Sequence, residues 1–387
     1  MHDFILREIK NTNIEKEIQK IGFDKSYIHK AKEKFAYKNI KIYSLTPAMA
    51  NIIKQTALSV GCDCATHRDV ITGKIEKSDC ILGGSISQIK KIGEKLKFQP
   101  FGLKTLGEKL LHVSQQSDQG VLNESGEEQQ TKLVGILNLT PNSFSDGGMY
   151  NDFEHAKKHL LELIKDGADI IDIGAESTKP YSDPVPAKEQ LEKLLPIIEF
   201  ANRKIPISID TRSSEVAEEC IKAGANIIND VSGFDYDDKM IEVIAKYNVP
   251  IIIQHSKGTP ENMQNSTEYS DLMEEIFLSL KKKIDLAHSK GIENIIVDPG
   301  IGFGKSREDN FEIIQRIDEL HSLNYPIMLG ISRKSLLNMQ DEDNFTKDIY
   351  TTALNTLAIE RNVDYIRVHN VKMHKTLIDL MNMFVVK

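Results

Sequence analysis

Eight short runs rich in isoleucine and valine recur between Leu133 and Lys387, each followed by a longer amphipathic stretch. They are LVGILNL (133–139), DIIDIG (169–174), PISID (206–210), NIIND (226–230), PIIIQH (250–255), NIIVDPG (294–300), PIMLGIS (326–332) and YIRVH (365–369). Runs this continuous suit parallel strands covered by helices, and the segments between them, such as FEHAKKHLLELIKDGA and SEVAEECIKAGA, show helical periodicity closed by glycine. Eight βα units in about 250 residues predict a (β/α)8 TIM barrel over 133–387. A doubly wound open sheet is the competing arrangement and fits the strand count less well.

A chain of 387 residues has room for a second unit ahead of the barrel. Residues 1–112 read as a small mixed α/β domain with a helical start, strands KIYSL (41–45) and DCILGG (79–84), and helices NIIKQTALSV (51–60) and SQIKKIGEKL (87–96). The polar stretch 113–132, rich in Gln, Ser and Glu, reads as a linker.

The net charge of -8, with Lys and Arg interspersed among acids, argues against a nucleic-acid partner. No apolar run is long enough for a membrane span, and the N-terminus lacks the apolar core of a secretion signal, so a cytoplasmic protein is expected. Cys62, Cys64, Cys80 and Cys220 do not form a disulfide framework and are expected as free thiols. Cys62, Cys64, His67 and Cys80 lack a standard zinc spacing and read better as core or incidental residues.

In a barrel of this kind the residues at the C-terminal ends of the strands converge on one mouth. In chain order these are Asn138, Glu176 with Thr178, Asp210, Asn229 with Asp230, His255, Asp298, Arg333 with Lys334, and Arg367 with His369. Any one could be a plain turn or cap residue, but eight together point to a site. Asp210, Asn229 and Asp298 offer acceptors or amides to a planar ring, whereas Lys334, Arg367 and His369 offer donors to an anion. The expected ligand is therefore heteroaromatic and phosphorylated. After Asn138, the segment TPNSFSDGG reads as a flap over the mouth. Asn138 and Asp146 are candidate oxygen donors to a Mg²⁺ ion carried with a diphosphate. DPGIGFGKS (298–306) is not a phosphate loop, because Pro299 stands where the first glycine is needed; its glycines suit close backbone approach, with Phe303 offering an apolar ring.

GILNLTPNSFSDGG (135–148), IGAESTKP (173–180), ISIDT (207–211), IND (228–230), DPGIGFGK (298–305), SRKS (332–335) and RVHN (367–370), in this order, strongly resemble the dihydropteroate synthases, a family of pterin-binding enzymes. The resemblance covers the whole barrel, while the first 130 or so residues have no counterpart in the usual single-domain members. It implies that 6-hydroxymethyl-7,8-dihydropterin diphosphate and 4-aminobenzoate are joined to give 7,8-dihydropteroate and diphosphate. By the same resemblance, Asp210, Asn229, Asp298 and Lys334 hold the pterin, and Asn138, Arg367 and His369 receive the diphosphate and Mg²⁺. Thr178, Lys179, Pro180, Phe303 and Ser335 contact 4-aminobenzoate, while Lys334, Arg367 and His369 are the catalytic residues. It also implies a homodimer through barrel helices. The chain departs from the family's pattern at Asn142, Lys179, Ser256 and Asn370, where Asp, Arg, Met and Asp are common. Lys179 matters most, since lysine lacks the planar fork of arginine. The rival readings are a corrinoid-dependent methyltransferase barrel and a non-catalytic pterin-binding protein; SRKS and the flap favour the synthase.

Overall fold

A computed structural model describes Leu6, Arg7, Ile9, Asn11 and residues 14–115, 130–139, 148–176, 184–258, 268–334 and 342–385. It divides into two compact units, Met1–Val121 and Leu122–Lys387.

In the first unit, strands β1 (Tyr37–Leu45), β2 (Asp63–Thr66) and β3 (Ser78–Ser85) form an antiparallel sheet in the order β1–β3–β2. The helix Pro47–Leu58 between β1 and β2 starts with Pro47 at its first position, and the Thr46 hydroxyl accepts from Met49 N–H, a favourable N-terminal cap. Its Ala50, Ile53 and Ala57 join Leu82, Ile89, Ile92 and Leu96 in one buried core, together with Cys62, Cys64 and Cys80. All four cysteines of the chain are free and buried. Two elements exceed the sequence reading. Strand β2 is only four residues, DCAT, too short for an alternation signal. The helix Leu103–Gln115 carries Gly107, which reads as a breaker but serves close packing: a Cβ there would lie 2.5 Å from Gly93 O of the helix Ile86–Leu96. This helix runs into the stretch expected as a linker, most of which lies outside the described residues.

The second unit is the expected (β/α)8 barrel. Its strands are β4 (Lys132–Asn138), β5 (Ile170–Gly174), β6 (Ile207–Asp210), β7 (Ile227–Asp230), β8 (Ile251–Gln254), β9 (Ile295–Asp298), β10 (Met328–Leu329) and β11 (Tyr365–Val368), one in each apolar run. They pair in parallel in the order β10–β11–β4–β5–β6–β7–β8–β9, and a parallel bridge from Val297 to Ile327 closes the ring. Helices lie between them as the glycine-closed periodicity predicts; Gly224 ends the helix Ser214–Ala223 at φ +116°, where a side chain would be strained.

Because side chains alternate along a strand, every second residue faces the barrel interior. The outward set, including Leu133, Ile171, Ile173, Ile209, Ile228, Ile253, Val297, Leu329 and Val368, packs in the large core with the helices. Of the inward set, Val134, Ile170, Ile227, Ile252, Ile296 and Met328, with Tyr365, form a separate buried ring near the strand starts. Moving two residues along each strand from this floor gives Ile136, Asp172, Asn229, Gln254, Asp298, Gly330 and Arg367. The floor is apolar, and five of these seven positions above it are polar.

Candidate active site

The polar tier centres on Arg367. Its Nε donates to Asp172 Oδ2 at 2.6 Å and its Nη2 to Asp210 Oδ2 at 2.7 Å, so one guanidinium spans β11, β5 and β6. Asn229 Nδ2 donates to the same Asp172 oxygen at 3.1 Å. Asp172 is fully buried. Burial works against the charge on Arg367, but Asp172 and Asp210 more than offset it and hold its pKa above the ordinary value. Burial pushes the Asp210 carboxyl up to about 7, with Arg367 pulling the other way. Among the described residues, Asp172 Oδ1, Asp210 Oδ1 and Asn229 Oδ1 are buried oxygens without a hydrogen-bond partner. Such oxygens are costly unless a ligand brings N–H groups to them.

Asp298, also buried, accepts from Gly300 N at 2.7 Å, and burial raises its pKa against the pull of Lys334. Lys334 Nζ donates to Ile301 O at 2.6 Å and stands 4.6 Å from the centroid of the Phe303 ring. Desolvation draws Lys334 down to about 8, with Asp298 resisting. Gly330 lies beside both cations: a Cβ there would make ordinary contact, 3.8 Å, with Lys334 Nζ and Arg367 Cβ. At the end of β11, His369 N donates to Ser332 Oγ at 3.2 Å, leaving the hydroxyl to meet His369 Nδ1 at 2.9 Å. Burial pushes His369 down to about 3, which favours the neutral imidazole; in the tautomer whose Nδ1 accepts from Ser332, Nε2 is the donor. Asn138 ends β4 as an exposed residue two positions beyond inward-facing Ile136.

The structure thus brings Asp210, Asn229, Asp298, Lys334 and Arg367 together, with Phe303 beside Lys334 and His369 at the rim. The other strand-end residues serve local roles. Glu176 forms a two-bond ion pair with Arg212, whose guanidinium lies 4.1 Å from the Tyr236 ring centroid. Asp230, one step out of the inward register, accepts from Ser232 and Phe234 N–H groups and closes a turn. Arg333 forms two bonds to Asp348, which also accepts from Asn370 Nδ2 at 2.9 Å. An Asp at 370 would set a second carboxylate against Asp348, whereas Asn370 donates to it. Ser256 Oγ donates to Gly258 O. Asn142, Asp146, Thr178, Lys179, Pro180 and Ser335 lie outside the described residues.

Sequence reasoning missed Asp172. Its signal was alternation: in DIIDIG it stands two residues after floor residue Ile170, an acid in the inward register of an otherwise apolar run.

A model of the pterin binding enzyme family matches residues 134–369, more than half of the chain. The chain belongs to that family. This pterin binding enzyme is 45% identical over 251 residues to the dihydropteroate synthase of Clostridium beijerinckii, covering 63% of this chain and 90% of the relative. It is 37% identical over 330 residues to a probable bifunctional folylpolyglutamate synthase/dihydropteroate synthase of Halobacterium salinarum, covering 83% of this chain and 40% of the relative. That match exceeds what the barrel alone can supply, so it reaches into the N-terminal unit. Among solved structures, the Clostridium difficile dihydropteroate synthase crystallised in the presence of pteroic acid aligns with TM-score 0.63 and 39% identity, covering 67% of this chain and 98% of that one. No helix among the described residues is long and apolar enough to cross a membrane.

Proposed function

We propose that this barrel condenses 6-hydroxymethyl-7,8-dihydropterin diphosphate with 4-aminobenzoate, the activity of a dihydropteroate synthase in folate biosynthesis. The reading is carried by one observation: the unpartnered oxygens of Asp172, Asp210 and Asn229 share a buried tier with Arg367 and neighbour Asp298 and Lys334. An aminopyrimidinone ring supplies the N–H groups those oxygens lack, and a diphosphate supplies the anion that Arg367 and Lys334 attract. In the reaction the amine nitrogen forms a bond to the pterin methylene as the methylene–oxygen bond to diphosphate breaks, and the amine releases one proton. Dihydropterin electrons stabilise positive charge at that carbon, and the carboxylates of Asp298 and Asp210 favour it further. Lys334, Arg367 and the His369 Nε2–H favour the departing anion. Phe303 offers the arene of 4-aminobenzoate an apolar face, with Thr178, Lys179, Pro180 and Ser335 assigned to that substrate by family resemblance.

The Asn138 amide oxygen is a hard neutral donor, the kind Mg²⁺ accepts when it takes most of its ligands from phosphates and water. Bound there with the diphosphate, Mg²⁺ supplies charge neutralisation of the leaving group. Purified protein is expected to release diphosphate only when both substrates are present, and to stop when EDTA removes divalent metal. Folded protein that releases none under saturating substrates refutes the assignment.

The homodimer has its own support. On the helix Asn344–Glu360, Phe345, Ile349 and Leu357 are exposed at intervals of four and eight residues, one face of a helix. Exposed Leu380 and Met383 lie on the C-terminal helix Val371–Val385, which packs against it. Exposed apolar residues on two packed helices are the kind of surface a two-fold contact uses. Sedimentation is expected to show a dimer that Ile349→Asp converts to an active-site-intact monomer; a monomeric wild type refutes it.

A further inference from the structure

The motif DPGIGFGKS contains a lysine that the proposed reaction leaves unused. Lys305 is 4% exposed, although an ammonium is among the costliest groups to bury. Its Nζ donates to Phe303 O at 3.0 Å and to His255 O at 3.3 Å, and lies 2.9 Å from His255 Nδ1. Two backbone carbonyls and one imidazole nitrogen thus surround the Lys305 nitrogen. His255 Nδ1 can accept only if the imidazole is neutral with its proton on Nε2, and burial together with Lys305 drives the His255 pKa far below its ordinary value. Desolvation also draws Lys305 down, to about 7, with Asp298 pulling the other way.

These contacts belong to a pattern. The loop after β9 is held atom by atom: Lys334 takes Ile301 O, Lys305 takes Phe303 O, Tyr269 Oη donates to Gly304 O at 2.9 Å, and Gly302 N donates to Asn310 Oδ1 at 2.7 Å. At its start, Gly300 adopts φ +71° and passes so close to β8 that a Cβ would sit 1.9 Å from His255 O. Asp298 Oδ1 is tied to the same loop through Gly300 N. Asp298, the Phe303 ring and the carbonyl that orients Lys334 therefore all depend on the path of one short segment.

We propose that Lys305 is a positioning residue for the pterin pocket: by clamping the Phe303 carbonyl to the end of β8, it sets the loop path on which Asp298, Phe303 and Lys334 rely. The inference rests on the pterin reading above and adds a residue that touches no substrate. Lys305 replaces the nucleotide-phosphate role that its motif superficially suggests with an internal one.

The test is Lys305→Met, which keeps the apolar stem and removes the donors. The Michaelis constant for the pterin diphosphate is expected to rise about tenfold or more and that for 4-aminobenzoate by less, with kcat reduced as well, because Asp298, Lys334 and Phe303 all rest on this loop. Fluorescence titration with 6-hydroxymethylpterin, without the second substrate, is expected to show the same weakening. A purely structural lysine would instead lower the melting temperature and the active fraction and leave both Michaelis constants at wild-type values; that result overturns the proposal. Should Lys305→Met not fold, Tyr269→Phe releases Gly304 O of the same loop and is expected to raise the pterin constant severalfold, an unchanged value again overturning the proposal. Wild-type protein assayed alongside separates the two ideas, since absence of diphosphate release there defeats the functional reading itself.

Discussion

Arg367→Ala is expected to lower turnover at saturating substrates by about a hundredfold or more, the scale seen when a single preorganised donor to developing negative charge is removed. The effect has a second source in this chain. Arg367 is bound to Asp172 and Asp210, and its loss leaves two buried carboxylates without their cation, at a cost of about 3–5 kcal/mol. The variant should therefore melt earlier as well as turn over slowly. Arg367→Lys keeps the charge but lacks the fork that reaches both acids, so it should recover stability better than rate. Steady-state kinetics and thermal melts of the three proteins decide it; folded Arg367→Ala at wild-type turnover removes the residue from the chemistry.

Asp172→Ala is expected to cost two to three powers of ten in kcat/KM for the pterin diphosphate, about 3–4 kcal/mol for two lost hydrogen bonds, one of them to a cation. Its Oδ2 is the shared acceptor for Arg367 Nε and Asn229 Nδ2, so its removal loosens a group on the anion side and one on the ring side at once. Both turnover and the pterin Michaelis constant should suffer, with the constant for 4-aminobenzoate much less affected. A change confined to 4-aminobenzoate would show that the tier does not hold the ring. Asp172→Asn, which retains one acceptor oxygen, should fall between the two.

The barrel was legible because each of its strands is a short apolar run and the intervening helices are periodic, one of them, Ser214–Ala223, capped by a glycine; the register needed only a count by twos. Asp210, Asn229, Asp298 and Arg367 were legible because each interrupts an apolar run near its end. Asp172 was not, since an acid in mid-strand looks like an interruption of the strand until alternation aligns it with Ile170. Lys305 escaped for a different reason: its partners are backbone carbonyls of Phe303 and His255, and no pattern of residue types announces a carbonyl as a partner. The strand-end rule also swept in Asp230 and Arg333, because it cannot tell an inward side chain from a neighbour one position away that closes a turn or pairs with Asp348. In the N-terminal unit, β2 is too brief to carry a period, and the helix Leu103–Gln115 was given no element in the sequence reading.

The ring of Val134, Ile170, Ile227, Ile252, Ile296 and Met328 plugs the lower end of the barrel. Whatever rests on Asp172 and Asn229 consequently has a single way in and the same way out. Traffic through such a dead-end shaft runs in sequence: the deeper guest arrives first, the shallower one shuts it in, and the two, once joined, leave together by the same opening. A bottom of isoleucine and methionine thus dictates the timetable of a reaction it never touches.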